Sequence, residues 1–283
     1  MDAAGIRAIT EEEVAHFRDH GWVRLDQLIS TDVAAQMLER AKALMGSDAS
    51  DHIARDGIDS PTNPWQDRHN IVEEDPHFAS VGLSEAMGVN AQQLMRRGIG
   101  VLMYNNALAV KIGAQQRGAA QLSDPTPFHQ DGAGYPMDRC GVISFWIALD
   151  HLTPEMGLPR YVDRSHQLGA LGNMNRGGHV VGDLFDVYPE LGEMSLTEPE
   201  EFQPGDAVAH AMYTLHHAPS NEGDRPRWAF LVRYVPNDTV YTGAVTGSQA
   251  TLRKITRAGL EPGELFGGPE YPLVFGPNHT EGR

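Results

Sequence analysis

The sequence predicts a mainly β protein with flanking helices, built as an antiparallel β sandwich or barrel in a single domain. Helical signals lie within about the first hundred residues, and short apolar runs separated by Pro, Gly and Asp turns follow from residue 99 onward. The sequence has no internal repeat, low-complexity tract or shift in composition that would mark a domain boundary. With 283 residues, 41% of them hydrophobic, the chain can bury a full core without disulfides or a structural metal.

Two helices around a short strand are expected near the N-terminus. Thr10 and Glu13 predict a capping box, because the Thr10 hydroxyl can accept from the amide three residues on while the Glu13 side chain reaches back to the cap. Residues 22–29 alternate between apolar and polar types as a strand does. Ser30 or Thr31 can then cap a second helix.

A long loop and a third helix are expected to lead into the β core. Residues 46–80 are polar and lack a sustained period, whereas residues 82–97 predict a helix. The strand-like runs that follow are 99–112, 140–150, 158–162, 206–216 and 227–235. The single domain is therefore expected to comprise a largely helical N-terminal part (1–97), a β core (98–236) and a C-terminal extension (237–283).

The charge and the cysteine content exclude several classes of protein. The net charge is −16, and nucleic-acid binders need clustered Lys and Arg to neutralise phosphates. The single cysteine, Cys140, rules out a disulfide framework and a zinc site made of paired cysteines, and a small buried residue is the expected role. Without an apolar run of membrane-spanning length or a signal-peptide pattern, the sequence favours a soluble cytoplasmic protein with no nucleic-acid or membrane partner.

Two histidines and one carboxylate form a candidate metal site. His129 and Asp131 are two residues apart, and in an extended backbone side chains at that spacing point to the same face. His216 ends a second strand-like run, DAVAHAMYTLH. Such a set forms the facial triad that binds one face of an octahedral Fe(II) ion and leaves three positions open. A bidentate 2-oxo acid can take two of those positions and dioxygen the third.

The distal carboxylate of such a co-substrate needs a positively charged partner. Arg227 lies 11 residues after His216, and a turn between them would bring its strand back beside the histidine. A planar guanidinium binds a carboxylate bidentately and stays charged, which suits this role. Arg233 has the same strand parity and can also reach the site, while Arg225 precedes a proline in the turn and is most simply solvated.

These motifs resemble those of the phytanoyl-CoA dioxygenase family. The resemblance rests on H-Q-D at the metal motif and on the distal His216 with Asn221 at +5 and Arg227 at +11. It extends to the segments ITEEEVAHFRDHGWVRLDQLIS, SFWIALDHLTPEMGLPRYVDRSHQLG and FQPGDAVAHAMYTLHHAPSNEGDRPRWAFLVRY. The resemblance implies a double-stranded β-helix core of the jelly-roll or cupin-like kind. It also implies Fe(II) as cofactor, with 2-oxoglutarate and O2 as co-substrates.

Carried over to this chain, the resemblance assigns roles to individual residues. It implies that His129, Asp131 and His216 bind iron and that Arg227 binds the carboxylate of 2-oxoglutarate. Gln130 and Trp146 occupy positions that line the site in family members.

One position departs from the family pattern. Ala218 stands where some members carry a hydroxyl that is available to the co-substrate. Lys111, on the strand before the metal motif, is the candidate replacement contact, and a solvated lysine at a strand end is the alternative.

Three histidines compete for the distal ligand position. The spacing to Asn221 and Arg227 selects His216. His210 shares the parity of His216 on the predicted strand, so it is expected to face inward as a buried, hydrogen-bonded neighbour of the site. His217 is expected to face away.

The expected activity is oxidation of an unactivated C–H bond in a small organic substrate, most simply hydroxylation, with 2-oxoglutarate converted to succinate and CO2. Desaturation, cyclisation or epimerisation in specialised metabolism remains an alternative. So do a non-catalytic cupin-like binding protein and an enzyme that uses another divalent metal without a co-substrate. Asp131 disfavours halogenation, because related halogenases replace this carboxylate with a small residue.

The acidity of the chain disfavours a polyanionic CoA ester, and a free acid, an amino-acid-like compound or a specialised metabolite is the preferred substrate class. Residues 46–80, the Gly-rich stretch 169–183 and the tail after residue 237 are expected to act as lids over it.

Overall fold

Two antiparallel β sheets enclose the interior of the protein. The computed structural model describes residues 5–47, 49, 65–95, 99–114, 125–139, 141–172, 184–246 and 248–277. The strands within them are β1 (Trp22–Leu25), β2 (Trp65–His69), β3 (Val101–Lys111), β4 (Thr126–His129), β5 (Ile143–Ala148), β6 (Arg160–Tyr161), β7 (Ala207–Ala211), β8 (His216–Ala218), β9 (Arg227–Pro236) and β10 (Leu273–Phe275). The larger sheet has the order β1-β7-β5-β9-β3-β10, with β2 also paired to β3, and the smaller sheet has the order β4-β8-β6.

Helices cover the outer face of the larger sheet. In the described residues these are α1 (Glu11–His20), α2 (Thr31–Met45), α3 (Ile71–Glu74), α4 (Pro76–Gly82) and α5 (Glu85–Met95). Two further helices, α6 (Leu184–Val187) and α7 (Gln249–Ala258), contribute no described side chain to the apolar cluster on that face. The predicted capping box at α1 is confirmed, since Thr10 accepts from the Glu13 amide and the Glu13 side chain accepts from the Thr10 amide. Ser30, rather than Thr31, caps α2. No helix of the described ranges is both long and apolar enough to span a membrane.

The central strands divide their side chains between two environments according to the two-residue period of a strand. The outward set packs against the helices in the largest apolar cluster and includes Phe145, Ile147, Ala209, Phe230 and Val232. The inward set faces the smaller sheet and includes Ser144, Trp146, Val208, His210, Leu231 and Arg233. The polar residues of the candidate site therefore come from the face that does not pack on helices.

The predicted strand at 206–216 is in fact two strands in different sheets. Strand β7 ends at Ala211 in the larger sheet, a turn crosses the interior, and β8 starts at His216 in the smaller sheet. The turn is fixed by the Thr214 hydroxyl, which donates to the carbonyl of Gly21 at 2.6 Å. His210 and His216 consequently face the same interior from opposite sides, although they are not on one strand.

Two segments that were expected to act as lids contain regular structure. Residues 65–82 form β2, α3 and α4, and β2 gains its hydrogen bonds from the edge of β3. The tail after residue 237 contains α7 and β10, and β10 also pairs with β3. A lid role for these segments stays a prediction. Residues 48, 50–64 and 173–183 of the other predicted lid segments, and Cys140, lie outside the described residues.

Candidate active site

His129, Asp131 and His216 come together as the candidate metal triad. His129 ends β4, Asp131 opens the short 3-10 helix Asp131–Gly134, and His216 begins β8. Antiparallel pairing of β4 with β8 places His129 opposite His216, with ring centroids 4.0 Å apart. One ligand atom from each of the three residues lies within 4.8 Å of the other two. The triad is thus close enough to hold a single metal ion.

Both triad histidines are held in the tautomer that a metal requires. The Nδ1 atom of His129 lies 2.9 Å from the carbonyl of Pro127, and Nδ1 of His216 lies 2.9 Å from the carbonyl of Thr214. Because a carbonyl can only accept, each Nδ1 carries the proton and each Nε2 presents a lone pair. Burial, together with the charges of neighbouring histidines, holds the pKa of His216 well below its usual range. His216 is therefore a neutral imidazole at neutral pH.

The Asp131 carboxylate is oriented by three donors on one of its two oxygens. Ser144 Oγ donates to Oδ2 at 2.7 Å, Arg233 Nε donates at 3.0 Å, and His210 Nε2 lies 3.3 Å away. Burial raises the pKa of Asp131, but Arg233 and the His210 hydrogen bond outweigh it, so the pKa lies well below its usual range. The carboxylate is ionised, and Oδ1 is 3.7 Å from Nε2 of His129. Oδ1 is therefore the oxygen directed toward the metal position.

The structure adds Ser144 to the predicted site and shows where His210 and Arg233 lie. His210 has the expected place as a buried, hydrogen-bonded neighbour, and Arg233 does reach the site. Sequence reasoning missed Ser144, which is fully buried. Its only signal was strand parity, since Ser144 alternates with the inward-facing Trp146.

Arg227 lines the same cavity as His129 and His216 of the triad. Its side chain is 1% exposed, at the start of β9, and one guanidinium nitrogen donates to the carbonyl of Gly157. The guanidinium carbon lies 5.5 Å from the ring centroid of Trp146, close enough for a cation–π contact. The cavity, of about 100 Å³, is lined by these two residues together with Thr126, His129, Pro159, Tyr161, His210, His216, His217, Ala218, Leu231 and Arg233. A molecule bound at the triad can therefore extend toward the fixed positive charge of Arg227.

Gln130 is fully buried and makes three hydrogen bonds within the protein. Its amide nitrogen donates to the carbonyls of Gly169 and Tyr213 at 2.9 and 2.7 Å, and its oxygen accepts from the amide of Leu171 at 2.9 Å. These bonds tie Gln130, which stands between His129 and Asp131 in the sequence, to two separate loops. A direct contact between Gln130 and a co-substrate stays a prediction.

Lys111 is buried, so the alternative of a solvated lysine is wrong. Its amine donates to the carbonyls of Ala218 and Pro219 at 2.9 and 2.7 Å, and the side chain is 3% exposed. These bonds hold the chain directly after the distal ligand strand. The replacement contact with the co-substrate that was expected of Lys111 stays a prediction.

His217 differs from His216 in its surroundings. Its ring is half-buried and lies 4.2 Å from the ring of Phe128, and its nitrogens are not among the triad ligand atoms. Burial, with the charges of Arg160 and Lys111, lowers the pKa of His217 to about 4. The geometry thus favours His216 as the distal ligand.

Comparison with known proteins identifies the family. The sequence profile of the phytanoyl-CoA dioxygenase (PhyH) family matches residues 17–229, and the chain belongs to this family. No curated protein sequence matches the chain.

Solved structures with the same fold include three oxygenase-fold proteins. The non-heme α-ketoglutarate-dependent carbocyclase SnoK from nogalamycin biosynthesis is 23% identical, with a TM-score of 0.74 over 96% of this chain and 100% of that chain. The epimerase SnoN, solved with Fe3+, α-ketoglutarate and a nogalamycin compound, is 18% identical, with a TM-score of 0.71 over 94% and 98%. EctD from S. alaskensis, solved with 2-oxoglutarate and 5-hydroxyectoine, is 18% identical, with a TM-score of 0.64 over 85% and 79%. These similarities confirm the predicted double-stranded β-helix core.

Proposed function

We propose that the protein is an Fe(II)- and 2-oxoglutarate-dependent dioxygenase that oxidises an unactivated C–H bond of a small organic substrate. The observation that carries the proposal is the cavity lined by His129 and His216 of the triad and by the buried Arg227. A metal-binding triad alone would suit several metals and reactions. A fixed cation in the same cavity suits a co-substrate that chelates a metal at one end and carries a carboxylate at the other.

The donor set fits Fe(II). Nε2 of His129, Nε2 of His216 and Oδ1 of Asp131 would hold the ion, with Nδ1 of each histidine and Oδ2 of the carboxylate already engaged by the protein. When bound with 2-oxoglutarate and O2, the iron supplies the oxidising power for C–H cleavage. The protein supplies orientation and a site from which bulk water is largely excluded.

Arg227 would bind the distal carboxylate. Its bond to Gly157 and its position over Trp146 hold the guanidinium in place before any ligand arrives, so little side-chain entropy is lost on binding. Burial strengthens the attraction between the guanidinium and a carboxylate, because the surrounding dielectric constant is low. The same features favour a dicarboxylic 2-oxo acid over a monocarboxylic one.

Hydroxylation is the reaction that we propose first, since it requires no special positioning of the substrate after C–H cleavage. Cyclisation or epimerisation is the second candidate, because two structures of the same fold are a carbocyclase and an epimerase. The carboxylate of Asp131 argues against halogenation. With a net charge of −16, a free acid, an amino-acid-like compound or a specialised metabolite is a better substrate than a CoA ester.

Anaerobic reconstitution with Fe(II) and 2-oxoglutarate tests the proposal. A weak visible charge-transfer band should appear, and on admission of air the protein should form succinate, with more of it in the presence of a productive substrate. His129→Ala should lose both signals because a metal ligand is removed. A band without succinate across a broad substrate panel would favour the non-catalytic binding protein. The absence of both signals would contradict the proposal.

A further inference from the structure

One buried hydroxyl in the cavity has no role in the site described so far. Tyr161 is on β6, its side chain is 2% exposed, and its hydroxyl has no hydrogen-bond partner among the described residues. Buried hydroxyls nearly always have a hydrogen-bond partner, because burial removes their hydrogen bonds to water and leaving those bonds unreplaced costs free energy. A polar atom of this kind inside a ligand cavity points to the ligand as its partner.

The ring of Tyr161 is held rigidly next to the metal triad. Strand pairing places Tyr161 opposite His216, and the two rings stack with centroids 5.7 Å apart. The indole of Trp22 stacks on Tyr161 as well, with centroids 5.9 Å apart. Packing by both rings fixes the direction of the hydroxyl without any hydrogen bond to it.

The Tyr161 side chain lines the cavity that His129, His216 and Arg227 also line. Tyr161 separates that cavity from a larger one, of about 360 Å³, whose lining includes Trp22, Arg24 and Phe202. A tyrosine hydroxyl, whose ordinary pKa is about 10, carries its proton at neutral pH and can donate a hydrogen bond.

We infer that the Tyr161 hydroxyl donates a hydrogen bond to the bound 2-oxo dicarboxylate, as a third recognition element beside the metal triad and Arg227. The inference rests on the proposed function, because it needs that co-substrate in the cavity. It explains why a tyrosine hydroxyl is buried here among apolar and aromatic side chains. It also predicts that the hydroxyl contributes to co-substrate affinity and not to the stability of the unliganded fold.

Tyr161→Phe removes this single oxygen, and Tyr271→Phe is the matched control. Tyr271 is also buried, and its hydroxyl also has no hydrogen-bond partner among the described residues, but it packs in a different cluster with Tyr104 and Phe266. Affinity for 2-oxoglutarate would be measured by anaerobic titration of the Fe(II)-loaded proteins. Affinity for Fe(II) alone and the melting temperature without ligands would be measured for each protein.

The Kd for 2-oxoglutarate should rise about tenfold or more in Tyr161→Phe, as expected for a lost hydrogen bond to a charged group, and should be unchanged in Tyr271→Phe. The Fe(II) affinity and the melting temperature of the unliganded Tyr161→Phe protein should equal or exceed those of the wild type. An unchanged Kd would overturn the inference, as would a clear loss of stability without ligand, because the hydroxyl would then have a structural partner. If the wild type itself failed to bind 2-oxoglutarate, the proposed function would fall as well.

Discussion

Replacing Arg227 should separate binding of 2-oxoglutarate from binding of the metal. Arg227 is 1% exposed, contacts Gly157 and Trp146, and lines the cavity. Removing one partner of a buried, hydrogen-bonded charge pair costs about 2–5 kcal/mol in binding free energy. Arg227→Ala should therefore raise the Kd for 2-oxoglutarate by about 30- to 4,000-fold. Arg227→Lys keeps the charge but loses the planar guanidinium, so its Kd should lie between those of the wild type and Arg227→Ala.

Calorimetric titration of 2-oxoglutarate into the anaerobic Fe(II)-protein would measure these changes. Arg225→Ala is the matched control, because Arg225 is two residues away but its side chain is 40% exposed and pairs with Asp150. Its Kd for 2-oxoglutarate should match the wild type. A 2-oxo acid without the second carboxylate should bind the wild type and Arg227→Ala with similar affinity, because neither complex contains the ion pair.

A different pattern would refute this role for Arg227. If Arg227→Ala kept the wild-type Kd while Arg233→Ala lost binding, the distal carboxylate would have to lie at Arg233. The Fe(II) affinity must be measured in both variants, because Arg233 also contacts the Asp131 carboxylate. Loss of metal binding in Arg227→Ala would show that the variant had damaged more than the carboxylate site.

Three further results are expected. His216→Ala should lose Fe(II) in anaerobic metal titrations while His217→Ala retains it, because only the former belongs to the triad among the described residues; the reverse would reassign the ligand. Ser144→Ala should weaken metal binding about tenfold in the same titration, since the metal-binding carboxylate loses a 2.7 Å hydrogen bond that orients it; an unchanged affinity would contradict this role. Asp75→Asn should lower the free energy of unfolding at pH 7 by about 0.5–1 kcal/mol in urea melts, because the ion pair with Arg40 is lost while asparagine can still cap α4. Burial raises the pKa of Asp75, but its hydrogen bonds lower the pKa by more, so the folded value lies below the unfolded pKa of about 3.9. The stability that the carboxylate contributes is therefore present above the unfolded pKa and is lost as the pH falls through the folded value. The difference in the free energy of unfolding between the wild type and Asp75→Asn should shrink in acid. A difference that grows in acid would refute this link between protonation and stability.

Local signals in the sequence were sufficient for the N-terminal helices and for two of the three triad residues. The caps at Thr10 and Ser30 use hydrogen bonds between residues three apart, so they can be read directly from the chain. The spacing of His129 and Asp131 likewise depends on local backbone geometry. His216 required the resemblance to a family, since only long-range strand pairing brings it to His129.

The loop expected at 46–80 shows what the sequence pattern could not reveal. Strand β2 is short and polar, and its stability comes from pairing with β3 some forty residues later, which no local period indicates. Helix α4, by contrast, had a readable signal in Asp75 followed by Pro76, a capping residue and a proline at the first helical position. Helix α7 had one too, with Ser248 at its start and Gly259 at its end.

The residues around the triad were the hardest to predict. Ser144 and Tyr161 come from β5 and β6, and each reaches the site through strand pairing that depends on the whole sandwich. The parity argument predicted correctly that His210 faces inward like His216, but it assumed that both lie on one strand. In the structure the chain crosses between the sheets after Ala211, so the two histidines face the interior from different sheets. Sequence periodicity identifies the inward face of a strand, but not which inward residues meet across the interior.

A crystal structure of the protein grown anaerobically with Fe(II) and 2-oxoglutarate would test the central claim most directly. Anomalous scattering should place one iron at Nε2 of His129, Nε2 of His216 and Oδ1 of Asp131, with 2-oxoglutarate chelating the iron and its distal carboxylate on Arg227. Iron bound through His210 or His217, or a distal carboxylate on a residue other than Arg227, would contradict the account.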